Sequence, residues 1–580
     1  MKKYFWFLFL TLLLFFSLAT RLFAGNVQIT NFGPSGYDAT TGLVTFRADF
    51  AWSKAWRNEI NHDALWVFMK IWVPTSGVWR HATMSASGIN PTGFSAKGGY
   101  EIIVPEDKAG FFLRIGPGQA SSTAQTVDTS TMGNGSVTFT WDYLKARQAG
   151  IAADLGSSST KFRLFAIEMV YVPEGSFMAG DASSTAAGAT YGFQYGFATT
   201  SADPPGFSRK SGWPIDSESA INLPSFLGGN INVGPHYYYK SGSGGNESAT
   251  GAAFTIPSEF PKGYKAFYLM KTEISQGQYR DFLNTLSRDE YQYRCAGAQT
   301  PTTTGRYCDS VGTGAGSSAR QGVRYISSTA YTAGTNAFAC AMSSATGNDG
   351  SDDGEWVAMN YLSWMDLAAY LEWAGLRPIT ELEFEKAARG PAAPITADYP
   401  WGNTTDPTAT SSYTALNSAT EVGDGLAAEF DSAAGTWPVR VGSFANTAAL
   451  DTSPYSRGNS GAGYYGNLDL AGNVWEMVIN VGTPVGREFQ GSHGQGFLHS
   501  SNRGNADRYD WPGMSNIGVA SLSSGGVGVR GGSWFTALSI LQTSNRSSAC
   551  SSAWVATRTN DVGGRGGRTA PTFAAPTKPQ

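Results

Sequence analysis

Hydrophobic positions along the chain fall into three regimes. Between Gly25 and Phe165 they alternate or cluster over short lengths. Leu43-Val44-Thr45-Phe46-Arg47-Ala48-Asp49-Phe50 alternates with a period of two, and Ala64 to Val73, Phe111 to Ile115 and Val137 to Trp141 are β-branched or aromatic runs bounded by Gly, Pro, Ser and Asp. Alternation puts one set of side chains on one sheet face, and turn residues end each strand. This spacing predicts an all-β sandwich over residues 25–165, read as a spacer or docking module. From Ile167 onward helical spacing enters. Phe267 to Leu286 reads as a strand leading into a helix capped by Ser275, with Tyr279, Phe282 and Leu283 on one face. A second helix is predicted from the Ser363 cap to Trp373. A third starts at Thr380, where Thr380-Glu381-Leu382-Glu383 fits a capping box. Glu381, Glu383 and Glu385 read as helix-start carboxylates favoured by the dipole, with Glu385 paired to Arg389 one turn on. Two stretches, 181–262 and 288–354, are rich in Gly and Ser and poor in apolar runs. They are expected to be long surface loops.

The third regime is the C-terminal stretch Arg530 to Arg568. It opens on Arg530-Gly531-Gly532-Ser533-Trp534 and closes on Gly563-Gly564-Arg565-Gly566-Gly567-Arg568. Between these ends the apolar residues keep neither a period of 2 nor one of 3.6, so no regular element is predicted. A rigid frame around irregular residues is the arrangement of a binding loop. Phe535, Thr536, Ala537, Leu538, Ile540, Leu541, Gln542, Trp554 and Thr557 are the candidate ligand-binding residues, and several of them are expected to form an exposed apolar patch.

Charge and cysteine usage narrow the picture. Lys and Arg number 41 against 45 Asp and Glu. No basic field covers the chain, which argues against nucleic acid as the main partner. The 71 glycines and 13% aromatic content point to a loop-rich fold with an aromatic core rather than to disorder. Lys2 and Lys3 precede an apolar run from Tyr4 to Leu18, and Leu22-Phe23-Ala24 offers a cleavage site. Residues 1–24 are therefore expected to be a signal peptide. Export follows, to the periplasm, the cell surface or the medium, with no membrane span after cleavage. In that setting Cys295 and Cys308 can close a loop as a disulfide. No CxxC or Cys/His ligand spacing appears, which argues against a structural zinc site.

Six motifs then carry a resemblance, in order over much of the chain: Ala166 to Phe177, Tyr268 to Phe282 ("YLMKTEISQGQYRDF"), Ala358 to Gly390, Tyr399 to Asn403 ("YPWGN"), Gly466 to Met477 ("GNLDLAGNVWEM") and Arg530 to Trp534 ("RGGSW"). Together they resemble the domain of formylglycine-generating enzymes, also called sulfatase-modifying factors. The resemblance implies an α+β, C-type-lectin-like fold with long loops over residues 166–571, with the all-β domain in front and a tail at 572–580. It also implies a structural calcium, held by the side chains of Asp469 and Glu476 and the carbonyls of Gly472 and Val474, oxygen donors of the kind calcium prefers.

One departure bears on function. These enzymes use two cysteines after the motif seen here as RGGSW to hold copper and oxidise a substrate cysteine. Laid on that pattern, this chain has Thr536 and Leu541 at the two places. A hydroxyl and an alkyl group cannot replace soft thiolates. No catalytic residue is therefore assigned, and oxidase activity is expected to be absent. The same scaffold is reused by variable proteins of diversity-generating retroelements. Their pattern of an RGGSW-like opening, an SNRSSA-like stretch and a GGRGGRTAP-like end is resembled here by Arg530–Trp534, Ser544–Ala549 and Gly563–Pro571. The expectation is an exported binding protein whose ligand is an extracellular or cell-surface protein or glycan. The competing expectation is a copper or non-haem iron oxidoreductase, with His493, His499 and Glu488 as a facial triad.

Overall fold

The computed structural model describes residues 27–52, 55–117, 126–128, 135–148, 159–182, 192–198, 207–223, 236–239, 253–295, 307–308, 319–326, 334–342, 353–430, 437–445, 457–498, 503–514, 525–551 and 557–574. The expected signal peptide lies outside these residues. The chain is mixed, with many strands and few helices. The elements used below are strands β1 (Gln28–Asp38), β2 (Leu43–Ala51), β3 (Asp63–Val73), β4 (Tyr100–Val104), β5 (Phe111–Ile115), β6 (Gly135–Asp142), β7 (Lys161–Val172) and β8 (Phe267–Met270), helices α1 (Gln276–Leu283), α2 (Trp364–Ala374) and α3 (Glu381–Arg389), and strands β9 (Trp475–Ile479), β10 (Val527–Arg530), β11 (Val562–Gly563) and β12 (Gly567–Thr569).

One sheet organises the molecule. Its main path runs β12-β8-β7-β3-β5-β4 and ends on Gly88–Ile89. Strand β3 is buried along its whole length, and its two faces serve different cores. Ala64, Trp66 and Phe68 pack into a core shared with α1 and α2. Leu65, Val67, Met69 and Ile71 pack against Val44, Phe46 and Phe50 of β2 and Phe139 and Trp141 of β6. Burial on both faces explains why Leu65 to Met69 is an unbroken apolar run rather than an alternating one. Besides Asp63 at its start, Lys70 is the charged residue within β3. Its ammonium donates to Trp373 O at 2.7 Å and also meets Gly496 O and the His81 ring.

The expected division at 165/166 falls inside β7. This strand pairs with β3 from Lys161↔Trp72 to Val170↔Asp63 and with β8 from Met169↔Met270 to Val172↔Phe267. The front region and the motif-bearing region thus share a sheet instead of meeting at a linker. Side chains reinforce the seam. Trp66 Nε1 donates to Ala374 O at 2.8 Å, Asn61 donates to Tyr465 O at 2.8 Å, and Lys271 meets Asp63 at 2.8 Å.

The three helices start where their caps predict. Ser275 accepts from Gln278 N, Ser363 pairs with Asp366, and Thr380 accepts from Glu383 N. Helix α2 stops at Gly375, whose φ of 68° suits a residue without Cβ. Where the two expected loop insertions are described they hold short strand pairs, such as Ile221–Leu223 with Phe254–Ile256 and Val323–Tyr325 with Phe338–Cys340. Cys295 and Cys308 form a disulfide.

Candidate functional site

A second, small sheet carries the C-terminal stretch. Strand β10 runs antiparallel to β9, from Glu476↔Arg530 to Ile479↔Val527, and β11 runs parallel to β9 on its other side. Residues 531–561 therefore leave one flank of β9 and return to the other. An excursion of this kind needs anchors, and arginines supply them. Arg530 donates to Glu385 Oε1 at 2.6 Å and to Thr543 O at 2.8 Å, and lies 3.3 Å from Glu381 Oε2. Arg546 donates to both oxygens of Glu381 at 2.8 Å. On the return limb Arg558 donates to both oxygens of Asp366 at 2.7 Å. The excursion is thus pinned to the first turns of α3 and α2.

These carboxylates are buried, and their titration reflects it. Burial pushes the Glu381 carboxyl up, but Arg546 and Arg530 outweigh it and hold the group below its usual value. Asp366 behaves alike: burial raises it, while Arg558 and Arg294 bring it below the usual value. Glu385 does lie 3.6 Å from Arg389 one turn on, as the helical spacing predicts. Its shorter contact, with Arg530, joins positions far apart in sequence and no local pattern foretells it.

The inner half of the excursion is framework. Ser544, Arg546 and Ala549 are fully buried or nearly so. Val529 N donates to Ser548 O, and a Cβ on Gly528 would sit 1.9 Å from Ala549 O, so β10 passes this turn too closely for any side chain. Leu541 and Gln542 belong here as well, which corrects their assignment to the ligand surface. Leu541 is 0% exposed and packs with Tyr399, Trp401, Phe430 and Ala471, and Gln542 is buried beside it. Leu541 fills an apolar cluster built by the YPWGN segment, so core packing claims it.

The outer half faces solvent. Phe535 is 67% exposed; Ala537 and Thr557 are exposed, and Thr536, Leu538 and Ile540 are half-buried. Trp554 lies outside the described residues. Phe535 packs on Trp534, with ring centroids 5.4 Å apart, and Trp534 meets Trp437 edge-on at 4.9 Å. Trp437 was not among the residues expected from sequence. It lies in a separate segment, and only the fold brings it to the excursion.

Thr536 and Leu541 converge. A Cβ built on Gly532 would lie 2.7 Å from Thr536 Oγ1 and 2.6 Å from Leu541 Cδ2. The spot where a pair of metal-holding side chains would meet exists, lined by a hydroxyl and a methyl. The Thr536 hydroxyl is engaged there, donating to Ser533 O at 3.0 Å and accepting from Ser533 N at 2.9 Å.

The side chains of the implied calcium donors are engaged too. Glu476 accepts from Arg565 through both oxygens, at 2.6 and 2.7 Å. Asp469 Oδ2 accepts from Gly442 N at 2.6 Å, and the Asp469 carbonyl accepts from Arg565 at 3.0 Å. Nearby Glu273 accepts from Val474 N and Asn473 Nδ2. Burial, then Asp469 and Glu476, holds its carboxyl well above the usual range. A guanidinium already neutralises Glu476, so this arrangement does not fit a calcium cage. Among the described residues no three His, Cys, Asp or Glu side chains are grouped to hold a metal. His493 accepts from Thr569 N at 3.0 Å, Glu488 is exposed, and His499 lies outside the described residues. No helix among the described residues is long and apolar enough to cross a membrane.

Comparison with known proteins agrees with the motifs. The family model for a sulfatase-modifying factor enzyme 1-like domain matches residues 227–566. A Mus musculus protein called inactive C-alpha-formylglycine-generating enzyme 2 is 30% identical over 141 residues, which are 24% of this chain and 38% of that protein. The formylglycine-generating enzyme of Thermomonospora curvata is 35% identical over 121 residues, 21% of this chain and 32% of its own length. That of Mycobacterium tuberculosis is 36% identical over 120 residues, 20% and 31% respectively. The chain spans about a third of the length of the curated relatives it matches.

Proposed function

Since the chain belongs to the sulfatase-modifying factor enzyme 1-like family, we propose that it uses the family's scaffold to bind a ligand rather than to oxidise one. The observation that carries this reading is the pair over Gly532. Thr536 and Leu541 converge where the resemblance expects two thiolates, and Leu541 is sealed in the core. Neither side chain can hold copper(I). The Mus musculus relative bears the word inactive in its name, which is compatible with a scaffold kept after its chemistry is lost.

The finer features belong to the same reading. The motif-bearing region is a C-type-lectin-like domain, and the front region is a β-sandwich that serves as a spacer or docking module. The N-terminal apolar run directs export, and the ligand is met outside the cell or on a surface. The outer residues of the excursion, Phe535, Thr536, Ala537, Leu538, Ile540 and Thr557, form the binding face. Diversification by a retroelement fits the division between buried framework and exposed positions. A reverse-transcriptase gene beside the coding sequence, with a near-copy of its 3′ end differing mainly at adenines, is the expected genomic context. Its absence removes that part and leaves plain binding.

The deciding experiment is chemical. The full chain is supplied with copper(I), oxygen and a cysteine-bearing peptide, and aldehyde formation is followed by mass spectrometry. No conversion is expected; catalytic turnover would overturn the proposal.

A further inference from the structure

We infer that the binding face takes an uncharged, apolar stretch of another protein, and neither a polyanion nor a sugar; this rests on the binding reading above. From Phe535 to Thr557 the sole charged side chain is Arg546, and it is fully buried on the Glu381 carboxylate. The chain as a whole is 15% charged, so this segment departs from the chain's own composition where it meets solvent. On the return limb Arg558 is neutralised by Asp366, and Asp561 is buried. A partner that set a carboxylate, phosphate or ammonium on Phe535 would strip its hydration with no free opposite charge among the described excursion residues to meet it. A neutral surface therefore matches a neutral partner.

Sugar is disfavoured for a different reason. Phe535, Ala537, Leu538 and Ile540 carry no polar side-chain atoms, and the Thr536 hydroxyl both donates to and accepts from Ser533. Sugar hydroxyls seated on these side chains would lose water, and among the described outer positions only the Ser539 and Thr557 hydroxyls remain to meet them. What the face offers is the exposed Phe535 ring, backed by the buried Trp534 and, against it, the half-buried Trp437, beside half-buried aliphatic side chains. Aromatic groups with charge depleted around them are the composition of protein–protein interface centres. Trp437 comes from outside the excursion, so part of the contact persists whatever residues the excursion carries.

The test pans the full-length protein and its Phe535→Asp variant in parallel, against a displayed random-peptide library and against a glycan array. Circular dichroism of the variant checks its fold, and the exposure of Phe535 leaves the core untouched. The expected binders are peptides rich in Phe, Trp, Leu and Ile and free of net charge. Their affinity should fall at least about tenfold on Phe535→Asp and change less than about twofold between roughly 0.05 and 0.5 M salt. Trp437→Ala should weaken the whole set. Phe535-dependent binders that are charged and salt-sensitive, or that are glycans, overturn the partner class and leave a binding face in place. No Phe535-dependent binder in either screen overturns the binding face as well.

Discussion

The outer limb of the excursion, Phe535 to Ile540, and the inner limb, Leu541 to Cys550, are neighbours in sequence and differ little in how they would be scored by composition. Both mix aliphatic, hydroxyl and small residues. Phe535 stands 67% exposed, while six positions on Leu541 is fully buried. The difference comes from what lies beneath. The inner limb rests on α3 and the YPWGN cluster, where Glu381 takes Arg546 and the Tyr399 and Trp401 rings take Leu541. The outer limb follows Gly531 and Gly532, both at positive φ; Leu538 still leans on the YPWGN cluster, but nothing of that kind covers Phe535. Apolar character alone does not separate a core residue from a binding residue; the availability of a partner does.

Removing the carboxylate that holds the inner limb should produce the largest effect. Glu381→Ala leaves the Arg546 and Arg530 guanidiniums buried beside an empty place. A loss of about 3–5 kcal/mol of stability is expected, read from urea denaturation. A loss under about 1 kcal/mol would show that the arginine anchors do not organise the limb.

A matched pair of truncations sharpens the contrast. Leu541→Ala opens a cavity in a packed cluster and should cost about 2–5 kcal/mol. Phe535→Ala removes exposed surface and should change stability by no more than about 0.5 kcal/mol. Equal effects would erase the distinction between the limbs.

The anchors also make the excursion acid-sensitive. In the folded chain the Glu381 and Asp366 carboxyls sit below their usual values of 4.5 and 3.8. A carboxyl depressed by folding contributes stability above its unfolded value, and that contribution is lost as pH falls through the folded value. The excursion is therefore expected to loosen below pH 4.5 as the two groups take up protons. Proteolysis between Arg530 and Arg558 across an acid series reads it; cleavage independent of pH would contradict it.

The smallest expected effect concerns calcium. A structural ion would add on the order of 2–3 kcal/mol at a hundredfold excess over Kd. With Glu476 held by Arg565, a chelator should leave Tm unchanged, and a clear drop would show that calcium displaces the guanidinium.

Much of this architecture was legible in the chain. The caps at Ser275, Ser363 and Thr380 act over one turn, so local spacing was enough. The strands of the front region follow from alternation, and the six motifs pointed to the family that the comparisons show. The SNRSSA-like stretch is mostly buried, with Ser544, Arg546 and Ala549 inside. The seam was not legible, because Leu164 to Ile167 form one continuous apolar run through residues 165 and 166, and nothing local marks a passage from one region to the other. Glu381 read as a helix-start charge, since its partner Arg546 is 165 positions away.

By itself the sequence determined the elements, the hydroxyl and alkyl side chains at Thr536 and Leu541, and the sparse charge of the excursion, with Arg546 alone between Phe535 and Thr557. These depend on residue identity and on contacts within a turn. Only the tertiary structure decided that the two regions share a sheet, that Leu541 is core while Phe535 is surface, that Trp437 packs against Trp534, and that Arg565 stands where a calcium was expected. Each of those outcomes depends on which distant group arrives to satisfy a buried charge or cover an apolar side chain, and chain order does not carry that information.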